Sequence, residues 1–407
     1  MNILYIASGI PIPGTLGGST HTLEVARGLA ARCHTVHVVA VPQQQQFALS
    51  SLVRPVSTIH DTFYLHYLDL PKAASLISTP IVTRLARAIQ SDVIMERYYN
   101  FAGSGVLAAR DLHIPLLLEV NALIVDPPSV FKRRLDDHLG SPMRRWATKQ
   151  CKIAQRIVTP LHTTVPEEIS RDKIIELPWG ANVERFAKLH NTVVPESLQL
   201  DRLFPTHTRN TPIIVFLGSF RAWHGTLELI QAGIHLLEKG IRTRFLLIGD
   251  GPERIVAEQM VAEWADYFLF TGAVAYEHVP QLLSQATMGV APFNTHHHPA
   301  LRAAGFFWSP LKVYEYMAAG LPTVTTNIYP LNQVVRDGQE GVLFQEGNIA
   351  SLVETIAQLI HQPERAPIMG EQAQKRVADH YSWQHHCAEL ERIMSEMVVQ
   401  HRSKKRY

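Results

Sequence analysis

Cysteine is scarce. The chain carries three in 407 residues, Cys33, Cys151 and Cys387, far apart and outside any CxxC or Cys/His ligand spacing, which excludes a disulfide framework and a structural zinc module and suggests a reducing compartment. An excess of one charge is also missing. Lys+Arg 38 against Asp+Glu 36 leave +2 with histidine neutral, too even a balance for a protein whose main partner is a phosphate backbone, so no nucleic-acid partner is expected. No apolar run approaches the ~18 residues a spanning helix needs. Met1 runs straight into Ile3-Leu4-Tyr5-Ile6-Ala7 without a basic n-region or a small-residue cleavage site, so a cytoplasmic protein is expected. What the chain does have is apolar material: 46% of it is hydrophobic, enough for two or three cores, or for two large α/β halves.

Periodicity gives the organisation. Residues 2–8 read as a strand, 9–18 as a Gly/Pro-rich loop, 19–32 as a helix capped by Ser19 or Thr20, and 35–41 as a strand, which is the opening of a parallel α/β unit. Further strand-like runs at 92–95, 114–120 and 157–159 extend it to a doubly wound sheet. Residues 43–90, with the run Gln43-Gln44-Gln45-Gln46, give mixed signals. Periodicity stops between 186 and 211, where Pro195 and Pro205 punctuate a polar stretch. It then restarts, with strands expected at 212–217, 243–248, 268–271, 288–292 and 322–325 and helices at 225–239, 252–264, 279–284 and 311–319. The expected layout is a first domain over 1–190, a linker over 191–211, a second domain over 212–381 and a closing helix with a basic tail over 382–407. Two facing Rossmann-like domains place a ligand at the carboxyl ends of the strands, in the cleft between the halves.

Four segments can carry chemistry. Gly14-Thr15-Leu16-Gly17-Gly18 joins the first strand to the first helix; a phosphate cradle and a plain flexible turn both fit it. Gly249-Asp250-Gly251-Pro252 closes a strand, with Pro252 expected as the first helical residue. In Ser309-Pro310-Leu311-Lys312-Val313-Tyr314-Glu315-Tyr316-Met317-Ala318-Ala319-Gly320, Lys312 and Glu315 fall at i and i+3 near a helix start. There the ammonium can attract phosphate and the carboxylate can accept from ribose hydroxyls, the alternative being an exposed ion pair worth a few tenths of a kcal/mol. Glu96-Arg97-Tyr98-Tyr99 ends a strand and can meet an acceptor or form a structural ion pair. His296-His297-His298 reads as a polar loop tip, because consecutive residues do not converge on one ion. Between 131 and 156 lie Lys132, Arg133, Arg134, Arg144, Arg145, Lys149, Lys152 and Arg156 against Asp136 and Asp137. That run can rest on anionic lipid, aided by the tail Arg402-Ser403-Lys404-Lys405-Arg406, or can be a solvated face.

Taken in order, the Gly17-Gly18 loop, Gly218-Ser219-Phe220-Arg221-Ala222-Trp223-His224-Gly225, Gly249-Asp250-Gly251-Pro252, the 312–320 helix and the closing Tyr381-Ser382-Trp383 resemble glycosyltransferase family 4, retaining nucleotide-sugar enzymes of the GT-B fold. The resemblance spans nearly the whole chain. It implies an α/β fold of two facing Rossmann-like doubly wound domains, with a C-terminal helix crossing back to the N-terminal domain. It implies donor binding in the second domain: Glu315 on the ribose, Arg221 and His224 on the diphosphate with Gly17 and Gly18 closing over it, and Gly249, Asp250, Gly251, Gly272 and Val274 around the nucleoside. Arg221, Lys312 and Glu315 are the implied catalytic set, and Asn121, Glu119 and Arg97 the implied acceptor or sugar side. No metal or other cofactor is implied beyond the nucleoside-diphosphate sugar itself.

Three positions depart from the family pattern. His224 stands where many relatives have Lys, Phe307 where they often have Glu, and Asn121 where they often have His. Loss of that His is tolerable, because in a front-face retaining transfer the leaving phosphate oxygen can take the acceptor's proton. The expected activity is transfer of a sugar to a hydroxyl of a glycan, lipid-linked or small-molecule acceptor, with a sugar-nucleotide epimerase of the same fold or a catalytically silent sugar-nucleotide-binding protein as alternatives. Peripheral membrane contact is compatible with the basic stretch.

Overall fold

The computed structural model describes residues 1–14, 17–45, 56–187, 195–205, 208 and 211–404. It resolves into two compact units, one formed by Met1–Trp179, Phe307–Ser309 and Trp383–Tyr407, the other by Gly180–Phe306 and Pro310–Ser382.

The first unit is built on eight strands: β1 (Asn2–Pro11), β2 (Thr35–Val41), β3 (Val56–His60), β4 (Phe63–Tyr67), β5 (Val93–Arg97), β6 (Leu116–Glu119), β7 (Arg156–Thr159) and β8 (Ile174–Glu176). They lie in the order β3-β4-β2-β1-β5-β6-β7-β8, parallel throughout except that β3 runs antiparallel to β4. Ile3, Leu4, Tyr5, Ile6 and Ala7 are all buried, as a central parallel strand covered by helices on both faces requires. The first helix runs from Gly17 to Ala31 and so starts two residues before the expected Ser19. The last helix, Trp383–Lys404, belongs to this unit. Its Cys387 sits where a Cβ on Gly28 would come within 2.4 Å of the sulfur, so Gly28 lets the two helices touch backbone to side chain.

The second unit has six strands: β9 (Ile213–Leu217), β10 (Arg244–Ile248), β11 (Phe268–Gly272), β12 (Met288–Ala291), β13 (Thr323–Thr326) and β14 (Gly341–Phe344). All are parallel, in the order β11-β10-β9-β12-β13-β14. That is the doubly wound 3-2-1-4-5-6 arrangement, whose order reverses between β9 and β12 and whose ligands bind outside the carboxyl ends of the strands at that point. The core is Phe216, Phe245, Leu247, Val290 and Val324 against Leu229, Leu236 and Ile356 from the helices.

Several expectations shift. The helix after β10 starts at Arg254, not Pro252; Pro252 lies in the turn before it. Of the expected linker, 191–194, 206–207 and 209–210 lie outside the described residues, as do 188–190 before it, and the rest is not bare connection. Leu200 and Phe204 are buried, and Asp201 accepts from Arg244 Nη1 at 2.9 Å. Residues 15–16 of the first glycine loop, Gln46 and the tail beyond Lys404 are likewise outside the description. None of the described helices is long and apolar enough to cross a membrane.

Candidate functional site

In the second unit, three strand ends converge through glycines. Gly218 follows β9 with φ 137° and Gly249 follows β10 with φ 135°. A Cβ on Gly249 would lie 1.9 Å from the Gly218 carbonyl oxygen. Gly249 donates to Gly272 O at 2.9 Å and Gly218 to Ile248 O at 2.9 Å, while Phe220 N donates to Asp250 O at 2.9 Å. Gly251 is pressed against Phe220, whose backbone oxygen would be 2.6 Å from an added Cβ. Asp250 turns its carboxylate back to its own loop, accepting from Gly251 N at 2.7 Å and pairing with Arg254 at 3.5 Å. Val274 is half-buried in the loop after β11.

On this platform rests the Leu311–Ala318 helix, stopped by Gly320 at φ 72°. The exposed Lys–Glu pair is overturned: Lys312 and Glu315 are each 7% exposed. Lys312 Nζ has no hydrogen-bond partner. It lies 4.0 Å from the Phe216 ring centroid and 5.1 Å from that of Phe293, and a Cβ on Gly218 would approach it to 2.9 Å. Burial pulls its pKa down to about 7, with Glu315 acting the other way. Glu315 is pushed up to about 7 by burial, against a hydrogen bond from Tyr276 and the charges of Lys312 and Arg185. Arg185, from the Val183–Ala187 helix, lies over the Tyr276 ring at 4.5 Å. Neither Arg185 nor Tyr276 carried a sequence signal, because each comes from a different element, a short helix and a 3-10 turn, and only folding brings it to the carboxylate.

His224 is held neutral. Burial, then the Lys312 charge, pulls its pKa down to about 3, and its Nδ1 lies 2.7 Å from Ser219 O. That carbonyl can only accept, so the proton sits on Nδ1 and Nε2 is a lone-pair acceptor. In this form His224 carries no positive charge, unlike the guanidinium of Arg221. Arg221 is exposed, with its guanidinium 5.2 Å from the Trp223 ring centroid. The histidine tip is a short turn in which Asn294 accepts from His296 N, and among the described residues no group of three or more His, Cys, Asp or Glu could hold a metal ion.

The first unit gathers a second polar cluster at the ends of β1, β5 and β6. Tyr5 donates to Glu119 Oε2 at 2.6 Å, Asn121 Nδ2 donates to Glu119 Oε1, and Trp179 Nε1 donates to Asn121 Oδ1 at 2.8 Å. Arg97 Nη1 lies 3.0 Å from His21 Nδ1. Because a guanidinium only donates, the His21 proton sits on Nε2. That atom is 3.1 Å from Glu119 Oε1, close enough for attraction though not aligned for a hydrogen bond. His21 is fully buried, and its pKa falls well below the usual value through burial, then Arg97, then His386. Arg97 also lies over Trp179 at 5.4 Å, and its Nη2 would be 3.8 Å from a Cβ on Gly18. Asn121, Glu119, Arg97 and Gly18 are thus brought together; Gly17 begins the helix beside them. His21 was missed because a histidine in a helical run reads as part of the solvent face. Glu96 does not join: it is fully buried and accepts from Gly103 N at 2.9 Å and Val106 N at 2.7 Å, tying down the helix that starts at Ser104. Phe307 is a buried core side chain, 2% exposed.

Two doubly wound parallel-sheet units, the first of which also carries the chain's last helix, are the architecture of the GT-B fold. Residues 16–176 match the model for "Glycosyltransferase Family 4" and residues 211–362 that for "Glycosyl transferases group 1". The chain belongs to the family 4-like glycosyltransferases. It is 26% identical to the 2-deoxystreptamine glucosyltransferase of Streptomyces kanamyceticus over 304 residues, 73% of this chain and 74% of that one. It is 22% identical to the alpha-monoglucosyldiacylglycerol synthase of Acholeplasma laidlawii over 373 residues, 88% and 87% of the two chains. Among solved structures, Anabaena HepE in complex with UDP superposes with a TM-score of 0.70 at 16% identity, covering 97% of this chain and 100% of that one.

If Lys312 and Glu315 grip a nucleoside diphosphate, its affinity must depend on pH. In that grip the ionised Glu315 accepts from ribose hydroxyls more strongly than its neutral acid, so binding weakens as pH falls below about 7. Lys312 attracts phosphate only when protonated, so binding weakens as pH rises past about 7, and a bound phosphate moves that limb upward by stabilising the ammonium. Calorimetric titration of UDP or GDP between pH 5.5 and 9 should give a bell; a flat profile would remove both residues from the contact.

Proposed function

We propose that this glycosyltransferase is a retaining, metal-independent enzyme that moves a sugar from a nucleoside-diphosphate sugar to a hydroxyl of a glycan, lipid-linked or small-molecule acceptor. The observation that carries the reading is Lys312 Nζ, buried, without a hydrogen-bond partner, and one helical turn from the buried Glu315. A cation left unsatisfied in a dry site is costly unless a ligand supplies its counter-charge. A leaving diphosphate does so, and most strongly as negative charge develops on it in the transition state. Arg221 would supply the second positive charge, Glu315 would hold the ribose, and Gly218, Gly249, Gly272 and Val274 would line the nucleoside side. In the first unit, Glu119, locked by Tyr5 and His21, would orient Asn121 and Arg97 toward acceptor or sugar. Asn121 cannot serve as a base, so the acceptor's proton would pass to the leaving phosphate oxygen as the new glycosidic bond forms on the face the diphosphate leaves.

The names of the two relatives, a glucosyltransferase of 2-deoxystreptamine and a synthase whose product is alpha-monoglucosyldiacylglycerol, support keeping both small-molecule and lipid acceptors in this reading. The test is product analysis with UDP-, GDP- and ADP-hexoses in EDTA against a panel of both kinds. Proton NMR should show the donor's anomeric configuration kept. An inverted product, a metal requirement, or epimerised donor without transfer would each overturn the reading.

A further inference from the structure

Of the two helices that follow β6, the first has its polarity reversed. In the Phe131–His138 helix the buried residue is Asp136, while Phe131 is 72% exposed, Leu135 44% and, just past the helix end, Leu139 61%. At four-residue spacing these three drift only about 40° per step, so they form one stripe. A helix that merely covered the core would turn this stripe inward. It cannot, because Asp136 is engaged there, accepting from Met143 N at 2.8 Å and Arg144 N at 3.1 Å and thereby capping the next helix, Pro142–Ile153. That second helix is in turn fixed by its own inner face, where Ala147 and Cys151 are buried and Trp146 donates to Ala102 O at 2.8 Å. Its outer face then presents Arg145, Lys149 and Lys152, all exposed at i, i+4 and i+7.

We propose that these two helices form a docking surface for an anionic lipid bilayer, with Phe131, Leu135 and Leu139 entering the headgroup–acyl boundary and Arg134, Arg145, Lys149 and Lys152 meeting the lipid phosphates. The charge carries the choice of occupant. The stretch 131–153 holds seven basic and two acidic side chains in a chain whose total is +2, so the rest of the molecule is net negative and the positive field is local. Lys132, Arg133 and Arg144 are spent on Asp126 and Asp137; the other four point at solvent with no carboxylate in contact among the described residues. A second copy of the chain would bring these cations against their own kind, and a three-residue stripe falls far short of the ~800 Å² a side that a stable dimer buries. An anionic membrane satisfies both halves, apolar area and phosphate charge. The proposal stands apart from the transfer reaction and is tested by binding alone.

The full chain is sedimented with vesicles of phosphatidylcholine alone and of phosphatidylcholine with 30% phosphatidylglycerol. Binding is expected only to the second kind, falling steeply with salt. F131D/L139D should weaken it at least ~10-fold and R134E/R145E at least ~20-fold, at about fivefold per cation, with unchanged circular dichroism and thermal midpoint. I368D, at a 60% exposed apolar position in the second unit, should bind as wild type. Failure to bind, equal binding to neutral vesicles, the same loss in I368D, or a concentration-dependent dimer dispersed by F131D/L139D would each overturn the proposal.

Discussion

Replacing Lys312 by methionine is expected to make the unliganded protein more stable and the enzyme nearly inactive. The ammonium is buried without a hydrogen bond, and the nearby Phe216 and Phe293 faces return about 2 kcal/mol, less than the several kcal/mol that desolvating an ion costs. Removing a buried polar group of this kind while keeping its apolar stem relieves about 1–3 kcal/mol. For a domain of this size that is a rise of roughly 2–4 °C in thermal midpoint per kcal/mol. The sign with pH follows from the depressed folded-state pKa. The unfolded chain binds the proton more tightly, so the lysine's penalty is complete below about pH 7 and is released as pH climbs toward 10.5. The gain from the methionine should therefore be largest in mild acid and fade in alkali. Activity should move the other way: losing a donor aimed at developing phosphate charge costs about 2.7–4 kcal/mol, or 10²–10³ in kcat/KM. Arg221→Ala and Glu315→Ala should also abolish most of the transfer with the fold kept, and Arg221→Ala, being at an exposed position, should leave the midpoint within about 0.5 kcal/mol. Scanning calorimetry alongside initial rates checks all three. A Lys312→Met enzyme that is less stable and still active would show the lysine to be structural.

Most of the second sheet was legible because β9, β10, β11 and β12 are short, mainly apolar runs that end at a glycine or proline, the form a parallel strand covered on both faces takes, and β13 is marked by Pro322 before it. Its last strand, β14, escaped because Val342 and Leu343 are only half buried and four residues give too little pattern. In the first unit β3 was unreadable for a related reason: an edge strand exposed at four of its five positions has no inward face to alternate with an outward one. The site divides in the same way. Spacing put Lys312 and Glu315 on one face of a helix, because i and i+3 is a local relation. That this face is buried depends on Phe216, Phe293, Tyr276 and Arg185, which lie on other elements up to 130 residues away in the chain. Burial is what turns an ordinary surface pair into two groups poised near neutrality. The cluster around Glu119 was read by only half for the same cause. Arg97 and Glu119 end strands and Asn121 follows two residues on, whereas Tyr5 and His21 point inward from elements whose periodicity marks them as core or solvent face.

Gly249→Ala should be among the most damaging single substitutions in the chain, and it separates two reasons for a glycine. At φ 135° a side chain is strained whatever the space, which costs about 1–3 kcal/mol. The added methyl would also lie 1.9 Å from the Gly218 carbonyl oxygen. Backbone cannot swing aside as a flexible side chain can, so the β9 and β10 ends must part, at a further cost of about 1–3 kcal/mol. Gly240 is the control. It has φ 78° but nothing within 4 Å of its would-be Cβ, so Gly240→Ala carries only the left-handed strain of about 1–2 kcal/mol. Thermal midpoints should therefore fall clearly further for Gly249→Ala than for Gly240→Ala. The two should also differ in nucleotide binding, because parting β9 from β10 moves Gly218, which fixes how closely the backbone approaches Lys312 Nζ. The family resemblance puts Gly249, Asp250 and Gly251 around the nucleoside, yet Gly249 and Gly251 spend their missing side chains on neighbouring backbone. Equal midpoints for the two variants, or a Gly249→Ala protein that binds UDP as wild type does, would mean that this contact does not hold the strand ends together.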